Sequence, residues 1–538
     1  MSGLAEVFCR SGYAVQGSDI KKTKVTDRLE AIGVDVKGSH SAGNVEGADY
    51  AVHSSCIKED NPELQEARRR NIPVLRRIEA LNILAEGKRL VAVSGAHGKT
   101  TTSSLISYLL IEAGFDPTVF IGADVHFLNG NARWGQSDLM VTEADESDGS
   151  FLFLKPMYSV TTNMDMEHMD YYSSMDNVIK AYKKFIDNTR DDGIAFVGID
   201  DKNLRDLVER SDRKIVTYGI SADADLRAEN IDLLGLNGSS FDVIYKGKAL
   251  GRIKLSIIGT HNILNTLAAI AVAMRLGADF SFMQGVIGNF KGADRRFNMT
   301  RLKSDIFVID DYAHHPTEIK ATLKTLENAG RRIVAVFQPH RYSRTKHLRE
   351  QFGKCFDLAD YLIITDIYSA HEKPIDGVSA KDLCESARQC GHKNVHFVPK
   401  DDIIKHLTDI IKPGDAVVRI FLKIGETVLV KEDHMDVITA LSGSGPAYYF
   451  LFTDMLAAAG SAAGLPKALA KKLAVATFIG AAESAAVAGI SMRDFVKKVA
   501  SKGGTTEAAL KVFKKKSLGR IVEQAVRSAT KRSKELSN

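Results

Sequence analysis

The chain has 538 residues, too many for one hydrophobic core, so we expect about three to five domains. Its 72 Lys and Arg residues against 67 Asp and Glu residues leave a net charge of only +5, which argues against a nucleic-acid partner and against a membrane surface. We find no export signal and no apolar run long enough to span a bilayer, and five scattered cysteines suggest neither a disulfide framework nor a zinc site, so we expect a cytoplasmic protein.

The opening segment resembles the second half of a Rossmann-type unit. Leu4 to Phe8 is predicted to be helical, and Tyr13 to Gly17 is predicted to be a strand that leads to Asp19. An acidic residue after a second strand normally follows a first strand and a glycine-rich turn, and both would precede Met1. We therefore predict a truncated Rossmann-like domain over residues 1–86.

From Leu90 to about residue 418, short apolar runs alternate with amphipathic stretches, which predicts an α/β fold of parallel sheets covered by helices. The predicted strands are Leu90–Ser94, Leu139–Thr142, Ile306–Ile309, Ile333–Phe337 and Tyr361–Thr365. Loops at the ends of such strands are where open α/β sheets bind ligands. After about Asp433 the chain becomes Ala-rich, with predicted helices at Ala447–Gly464 and Lys467–Ala488, so the last hundred residues are predicted to be all-α.

A glycine-rich loop follows the first of these strands. Residues 95–101 read GAHGKTT and precede a helix with an apolar face. In such a loop backbone N–H groups surround phosphate oxygens, a lysine (here Lys99) neutralises the terminal phosphates, and a threonine hydroxyl reaches the metal. Only Ala96 and His97 separate Gly95 from Gly98, so this loop is shorter than the standard Walker loop, in which four residues separate the two glycines. A simple helix-capping turn needs neither the preceding strand nor the Lys-Thr-Thr sequence.

Two further strand ends carry polar groups. After Leu139–Thr142 come four carboxylates in the run Glu143 to Asp148, which suits Mg²⁺ bound together with nucleotide phosphates. A solvated acidic loop is the simpler explanation of such a run, but its position after a buried strand favours the metal. The second strand end leads through Thr162 and Asn163 to His168. A single histidine is ordinarily a surface or core residue, and only these neighbours indicate a functional role for His168.

Six motifs in order resemble the Mur ligases of peptidoglycan synthesis, and within them the branch that joins UDP-N-acetylmuramate to L-alanine. They are SGAHGKTT at 94–101, EADESDGSF at 143–151, GTHNILN at 259–265, ADRRF at 293–297, DDYAHHP at 310–316 and FQPHRYSR at 337–344. The resemblance implies an enzyme of three domains whose activity requires ATP and Mg²⁺. The expected domains are 1–86 for the UDP substrate, a central P-loop domain at 87–297 and an incomplete C-terminal ligase domain at 298–418.

The resemblance also implies roles for individual residues. The catalytic set would be Lys99, Glu143, His168, Arg296 and Asp311. ATP would be bound by Gly95, Ala96, His97, Gly98, Lys99, Thr100, Thr101, Asn262 and Asn265. Thr100 and Glu143 would bind one Mg²⁺ and His168 a second. His340, Arg341 and Arg344 would receive L-alanine, since guanidinium groups suit its carboxylate.

For the asparagines, helix capping is the alternative explanation, and it would account for one of the two. A basic surface loop is the alternative explanation for His340, Arg341 and Arg344.

The sequence departs from the Mur ligases near residue 418. Residues 419–538 resemble the C-terminal dimerisation domain of pyrroline-5-carboxylate reductase, through TALSGSGPA at 439–447 and SKGGTT at 501–506, with Lys502 in place of the usual proline. Its NADPH-binding domain is absent from the sequence, so we expect no reductase activity. Ser442, Gly443, Ser444, Thr505 and Thr506 would form part of a pyrroline-carboxylate pocket. The long Ala-rich helices predict a homodimer.

Three hypotheses follow. The first is an active ADP-forming ligase with an oligomerising tail. The second is an inactive gene-fusion relic, which the departures at both ends of the ligase portion favour. The third is a pyrroline-5-carboxylate reductase that relies on a cofactor domain from another chain. The complete set of ligase motifs between Lys99 and Arg344 favours the first.

Overall fold

The computed structural model describes residues 1–20, 22–54, 57–292, 297–327, 329–370, 372–420, 434–487 and 491–537. The chain divides into two compact units, Met1–Lys423 and Ile424–Asn538. None of the described helices is both long and apolar enough to cross a membrane.

The N-terminal segment forms two small parallel sheets of two strands each, β1 with β2 and β3 with β4. Its elements are α1 (Ser2–Arg10), β1 (Gln16–Ser18), α2 (Lys24–Ala31), β2 (Asp35–Lys37), β3 (Ala51–His53), α3 (Pro62–Arg69), β4 (Val74–Arg76) and α4 (Arg77–Ala85). The first strand starts three residues later than predicted. Tyr13 donates its N–H to Phe8 O at 3.1 Å and so belongs to the end of α1, where Gly12 adopts a φ of +99°.

A ten-stranded sheet with its helices follows, and we call Arg89–Asn289 the ten-stranded part. The strand order is β14-β13-β12-β11-β10-β9-β5-β8-β6-β7. Its elements are β5 (Arg89–Ser94), α5 (Lys99–Glu112), β6 (Thr118–Val125), β7 (Gly130–Arg133), β8 (Leu139–Glu143), β9 (Tyr158–Thr161), α6 (Met169–Tyr172), α7 (Met175–Asp187), β10 (Ile194–Gly198), α8 (Lys202–Val208), β11 (Ile215–Gly219), β12 (Leu226–Leu233), β13 (Ser239–Tyr245), β14 (Lys248–Leu255), α9 (Thr260–Leu276) and α10 (Phe280–Val286).

The core of the ten-stranded part places the phosphate loop. Strand β5 pairs in parallel with both β8 and β9, so the three strands end at one edge of the sheet. Helices α5 and α9 pack together on one face of the sheet through fully buried side chains. These include Leu105, Ile106, Leu109, Ile263, Leu267 and Ile270. The loop before α5 and the first turn of α9 therefore lie side by side.

A six-stranded sheet completes the first unit, and we call Asn298–Ile420 the six-stranded part. The strand order is β15-β16-β20-β17-β18-β19, all parallel except β15. Its elements are β15 (Asn298–Arg301), β16 (Phe307–Asp311), α11 (Pro316–Glu327), β17 (Ile333–Phe337), α12 (Tyr342–His347), α13 (Arg349–Lys354), β18 (Tyr361–Ile364), α14 (Ala380–Gln389), β19 (Val395–Phe397), α15 (Ile403–Ile410) and β20 (Ala416–Ile420).

Strand β20 comes last in this part of the chain, yet it lies between β16 and β17 in the sheet. It extends two residues past the domain boundary expected at 418/419. Residues 421–433, which follow the predicted boundary, lie outside the described residues.

The second unit is helical throughout its described residues, as predicted. Its helices are α16 (Met435–Ile438), a π-helical turn at Thr439–Gly443, α17 (Gly445–Ala462), α18 (Lys467–Val487), α19 (Met492–Val499), α20 (Thr505–Lys515) and α21 (Leu518–Ser537). Few of its side chains are buried, and large apolar residues such as Phe450, Leu451 and Ile479 are at least half exposed.

Candidate active site

The phosphate loop is shaped by two glycines with positive φ, Gly95 at +142° and Gly98 at +84°. A Cβ atom on Gly98 would lie 2.5 Å from Oδ1 of Asn265, so only glycine fits there. Asn163 braces the loop, because its Oδ1 accepts from His97 N at 2.8 Å and its Nδ2 donates to His97 O at 3.0 Å. The loop is thus held open at the N-terminus of α5, a geometry that suits an anion.

Lys99 begins α5 and points back over the loop. Its ammonium donates to Gly95 O at 2.6 Å, to Ala96 O at 3.1 Å and to the Glu146 carboxylate at 2.8 Å. Burial favours the neutral amine, but the charge of Glu146 outweighs it and the pKa of Lys99 is raised. Burial raises the pKa of Glu146 to about 7 despite the opposing charge of Lys99. Lys99 therefore remains a cation at neutral pH.

The predicted first cation site is assembled from α5 and the end of β8. Thr100 Oγ1 lies 3.3 Å from Glu143 Oε2, and Ser103 and the backbone N–H of Gly122 hold the other carboxylate oxygen at 3.2 and 2.7 Å. Hydroxyl and carboxylate oxygens are the ligands that Mg²⁺ prefers. The two predicted ligands thus lie together beside Lys99.

His168 belongs to a second group. With φ at +54° it adopts a left-handed conformation, and its Nε2 lies 3.8 Å from Glu146 and 3.5 Å from Glu167. One ligand atom from each of these three residues lies within 4.8 Å of the others. Burial lowers the pKa of His168, which keeps the imidazole neutral and able to bind a metal. Glu146 and Glu167 thus join the predicted His168, although no individual role was predicted for either of them.

Asn262 and Asn265 both face the phosphate loop from α9. Asn265 Oδ1 accepts from Thr102 Oγ1 at 3.1 Å, and its Nδ2 donates to Asn262 Oδ1 at 3.0 Å. Asn262 donates in turn to Ile258 O at 2.7 Å. Helix capping was the alternative explanation for one of these asparagines. The residue at the N-cap of α9 is Gly259, so neither asparagine caps this helix.

The six-stranded part meets the phosphate loop through residues 311–318. Asp311 ends β16, is 8% exposed and accepts from Thr322 Oγ1 at 2.5 Å. Thr317 Oγ1 donates to Asp165 Oδ2 at 2.7 Å, and His315 Nδ1 lies 3.5 Å from the same oxygen. Glu318 Oε1 lies 3.4 Å from His97 Nδ1. These contacts join the two parts directly at the phosphate loop.

The loop predicted to receive L-alanine follows β17. Arg344 lies 3.0 Å from His340 Nδ1, and the His340 ring stacks on Tyr368 at 5.6 Å. Burial, aided by Arg344, lowers the pKa of His340 to about 4, so a neutral His340 accepts from the guanidinium. Arg341 has a φ of +70° and donates its N–H to Tyr368 O at 2.8 Å. Arg341 is exposed, whereas Arg344 is partly buried.

A cavity of about 420 Å³ lies beside the phosphate loop, between the ten-stranded part and residues 311–322 of the six-stranded part. Its lining includes the phosphate loop, the two asparagines of α9 and Asp311, together with Asp200 and Tyr218 from neighbouring strand ends. This volume falls within the range of small-molecule sites, and polar groups converge on it from both sheets.

Comparisons with known proteins agree with this geometry. The chain matches the Mur ligase family catalytic domain over residues 1–89, the Mur ligase middle domain over 93–273 and the Mur ligase glutamate ligase domain over 295–420. The UDP-N-acetylmuramate–L-alanine ligase of Geobacter sp. strain M21 is 45% identical over 80% of this chain and 95% of its own length. The chain belongs to the Mur ligase family.

Other members of the Mur ligase family are similar over the same region. The UDP-N-acetylmuramate–L-alanine ligase of Solibacter usitatus is 46% identical over 78% of this chain and 89% of its own length. The crystal structure of the UDP-N-acetylmuramate-alanine ligase of Thermotoga maritima matches with a TM-score of 0.66 and 29% identity, covering 79% of this chain and 93% of that one. The Mur ligase fold and the ligase class predicted from sequence are confirmed.

The remainder of this Mur ligase chain matches a different family. Residues 432–536 match the pyrroline-5-carboxylate reductase dimerisation domain, which confirms the second predicted resemblance. Ser442 and Gly443 lie in the π-helical turn, Ser444 precedes α17, and Thr505 and Thr506 begin α20.

Of the site residues predicted for this Mur ligase, Arg296 lies outside the described residues. The others lie around the cavity or in the loops and cation groups beside it. Sequence reasoning missed Glu167 and Glu318. The one sequence signal for Glu318 was its position four residues after His314, although His314 precedes α11 and only Glu318 belongs to that helix.

Proposed function

We propose that this Mur ligase joins the carboxylate of UDP-N-acetylmuramate to L-alanine, with ATP converted to ADP and phosphate. The similarity to ligases of that name over most of their length supports the substrates. The observation that carries the proposal is the glycine-shaped loop with Lys99, next to the Thr100–Glu143 pair, in a cavity shared by two sheets.

In the first step the substrate carboxylate attacks the γ-phosphorus of ATP. The bond from this phosphorus to the bridging oxygen breaks, ADP leaves with that electron pair, and an acyl phosphate results. Lys99 offsets the negative charge that develops on the transferred phosphoryl group, and the loop N–H groups orient it. An acyl phosphate has phosphate as its leaving group, so it is a far better electrophile than a carboxylate.

In the second step the neutral amine of L-alanine attacks the acyl carbon. Phosphate leaves with the bonding electrons, the ammonium loses a proton and the amide remains. In this proposal Arg344, which donates to the neutral His340, binds the alanine carboxylate. Holding three substrates in line is mainly an orientation problem, which closure of the six-stranded part over the loop would solve.

The donor set fits Mg²⁺ at Thr100 and Glu143, and a second ion at His168 with Glu146 and Glu167. Bound there, Mg²⁺ supplies Lewis-acid charge stabilisation to the phosphates. The chain's own contribution is to fix the oxygen ligands, since Ser103 and Gly122 hold the Glu143 carboxylate in place.

We further propose that the chain forms a homodimer through the tail, and that it works in the cytoplasm, where scattered reduced cysteines are usual. The tail matches a dimerisation domain, and its helices expose large apolar side chains such as Phe450 at 66% and Leu451 at 62%. Burial of such surface between two copies is favourable. Because the matched part of the reductase is its dimerisation domain, the tail supports association rather than hydride transfer.

Phosphate release by purified protein tests the ligase. We expect release with ATP, Mg²⁺, UDP-N-acetylmuramate and L-alanine that requires both acceptor substrates, and a loss of at least about a hundredfold in Lys99→Ala. Lys88→Ala is a matched control, because Lys88 directly precedes β5, at the opposite end of that strand from the phosphate loop, and donates to Ser137 O. Release that continued in Lys99→Ala, or no release from folded protein, would contradict the proposal.

A further inference from the structure

A second cluster of metal-binding side chains lies beside the predicted Mg²⁺ ligands, at the contact between the two parts. His97 of the phosphate loop, Asp165 after β9 and His315 before α11 each offer one ligand atom within 4.8 Å of the others. His97 and Asp165 belong to the ten-stranded part and His315 to the six-stranded part. The proposed ligase mechanism uses none of these three side chains.

The spacing of the ligand atoms matches a four-coordinate ion. Ligands about 2.0–2.2 Å from a tetrahedral zinc ion lie roughly 3.3–3.6 Å from one another. Here His97 Nε2 lies 3.0 Å from Asp165 Oδ2, and His315 Nδ1 lies 3.5 Å from the same oxygen. Small side-chain adjustments would therefore complete a three-ligand site with a fourth position free for water or a phosphate oxygen.

The surrounding groups orient these ligands. Burial opposes the charged form of His97, but hydrogen bonds to Asp165 and Glu318 outweigh it and raise the pKa of His97 to about 10, so an ion that binds Nε2 displaces a proton. The Nδ1–H would then face Glu318 Oε1, 3.4 Å away. A carboxylate behind a metal-bound histidine is the usual arrangement in zinc sites. Glu318 is itself fixed, since its other oxygen accepts from the N–H groups of His314 and His315 at 3.0 and 3.3 Å. His315 Nδ1, the nitrogen that faces Asp165, also accepts from Thr317 N at 3.4 Å, a long hydrogen bond that an ion would replace.

The chemistry of the donors selects the ion. Two imidazole nitrogens and one carboxylate suit Zn²⁺, Co²⁺ or Ni²⁺, whereas Mg²⁺ prefers an all-oxygen shell. The cysteine pattern predicted no zinc site because the ligands here are histidines and an aspartate, separated by up to 218 residues in the chain. Only the fold brings them together.

We propose that His97, Asp165 and His315 form a transition-metal site of the Zn²⁺ class, separate from the Mg²⁺ ligands. An ion at this site bridges the phosphate loop and the six-stranded part. It locks the two together and competes with the triphosphate, because His97 and Asp165 also line the nucleotide cavity. The site therefore acts as an inhibitory metal switch.

Titration of the full-length protein with Co²⁺, without nucleotide or Mg²⁺, tests the site directly. We expect one equivalent of Co²⁺ to give the strong visible absorption of four-coordinate cobalt, and one equivalent of Zn²⁺ to remove it. The absorption should be lost in His315→Gln and in the nearly isosteric Asp165→Asn. It should persist in His314→Gln, a neighbour outside the cluster, and in His168→Gln, which alters the other metal group.

Nucleotide binding at a buffered Zn²⁺ concentration supplies a second readout. Zn²⁺ should weaken binding of a fluorescent ATP analogue at least tenfold in the wild type and should have little effect in Asp165→Asn. Circular dichroism shows whether each variant is folded. If only one of His315→Gln and Asp165→Asn folds, that variant alone is enough for the test. Absence of saturable cobalt absorption, or absorption that disappears in His168→Gln and remains in Asp165→Asn, would overturn the proposal.

Discussion

The ammonium of Lys99 lies 2.8 Å from the carboxylate of Glu146, and that carboxylate is only 3% exposed. Glu146 thus holds the ammonium group that would otherwise stabilise a terminal phosphate. A triphosphate that binds the loop must share the lysine with this carboxylate or displace it. The strength of nucleotide binding therefore depends on an acid within the protein as well as on the loop.

Substitution Glu146→Gln should strengthen nucleotide binding when Mg²⁺ is chelated. It removes a negative charge that repels phosphates and competes for Lys99, and we expect a gain of about three- to tenfold, or ~0.7–1.4 kcal/mol. Titration with a fluorescent ATP analogue in EDTA measures it. Glu112→Gln is the control, because Glu112 is exposed at the opposite end of α5 from Lys99. Weaker binding in Glu146→Gln than in the wild type would contradict this.

Substitution Gly98→Ala should abolish ATP binding, because a Cβ atom would lie 2.5 Å from Asn265 Oδ1 at a φ of +84°. Gly114→Ala is the control variant, because it introduces the backbone strain without the steric clash. Gly114 has a φ of +82°, yet nothing lies within 4 Å of its added Cβ. Both variants should lose about 1–2 kcal/mol of stability from strain, and only Gly98→Ala should lose nucleotide affinity. Equal affinities in the two variants would refute the steric argument.

The neutral His340 predicts a pH dependence of stability. Its pKa is lowered to about 4 by burial and by Arg344, whereas the unfolded chain has a value near ~6.5. A histidine with a depressed folded-state pKa contributes stability above the unfolded value, and this is lost as the pH falls from about 6.5 to 4. After allowance for partial exposure, we expect a loss on the order of 1 kcal/mol.

Denaturant unfolding at pH 7.5 and pH 5 checks this for the wild type and His340→Asn. The wild type should be more destabilised by the lower pH than the variant is. The exposed His347 on α12 is a matched control, and His347→Asn should follow the wild type. If His340→Asn lost as much stability as the wild type, the assigned charge state would be wrong.

The apolar surface of the tail predicts concentration-dependent association. Leu451 and Met455 are one turn apart on α17 and are 62% and 56% exposed. Lysine at both positions should weaken the homodimer by at least tenfold, because charged groups would be buried at the interface. Sedimentation velocity over a dilution series measures it, with Lys511→Glu as a charge-changing control on an exposed helix. If the wild-type protein were monomeric over this dilution series, the homodimer proposal would be wrong.

Much of the α/β framework was predictable from local sequence. The apolar runs at Leu90, Leu139, Ile333 and Tyr361 became strands within one residue of their predicted bounds. The antiparallel strands β12, β13 and β14 were not predicted. Their alternation is interrupted by exposed polar residues and by register shifts after Glu229 and Val243, so no simple period of two marks them.

The site was predictable where one short motif carries the chemistry and less so where distant segments meet. Lys99 and Thr100 follow from the loop alone. The pairing of His97 with Asp165 depends on β5 and β9 being neighbours in one sheet, and the contact of His97 with Glu318 depends on how the two sheets meet. No local pattern contains that information. Glu146 stood within the predicted acidic run, but only burial against Lys99 shows that it differs from its exposed neighbour Asp145.

The position of β20 between β16 and β17 has a consequence for synthesis on the ribosome. Strand β16 is made about a hundred residues before Ala416–Ile420, and the centre of this sheet cannot close until that last strand has emerged. The nascent chain therefore carries an open pair of strand edges while α11 to α15 are translated, a state prone to misassembly. The helices of the tail, translated next, lengthen the time for which this sheet can close while the chain is still attached to the ribosome.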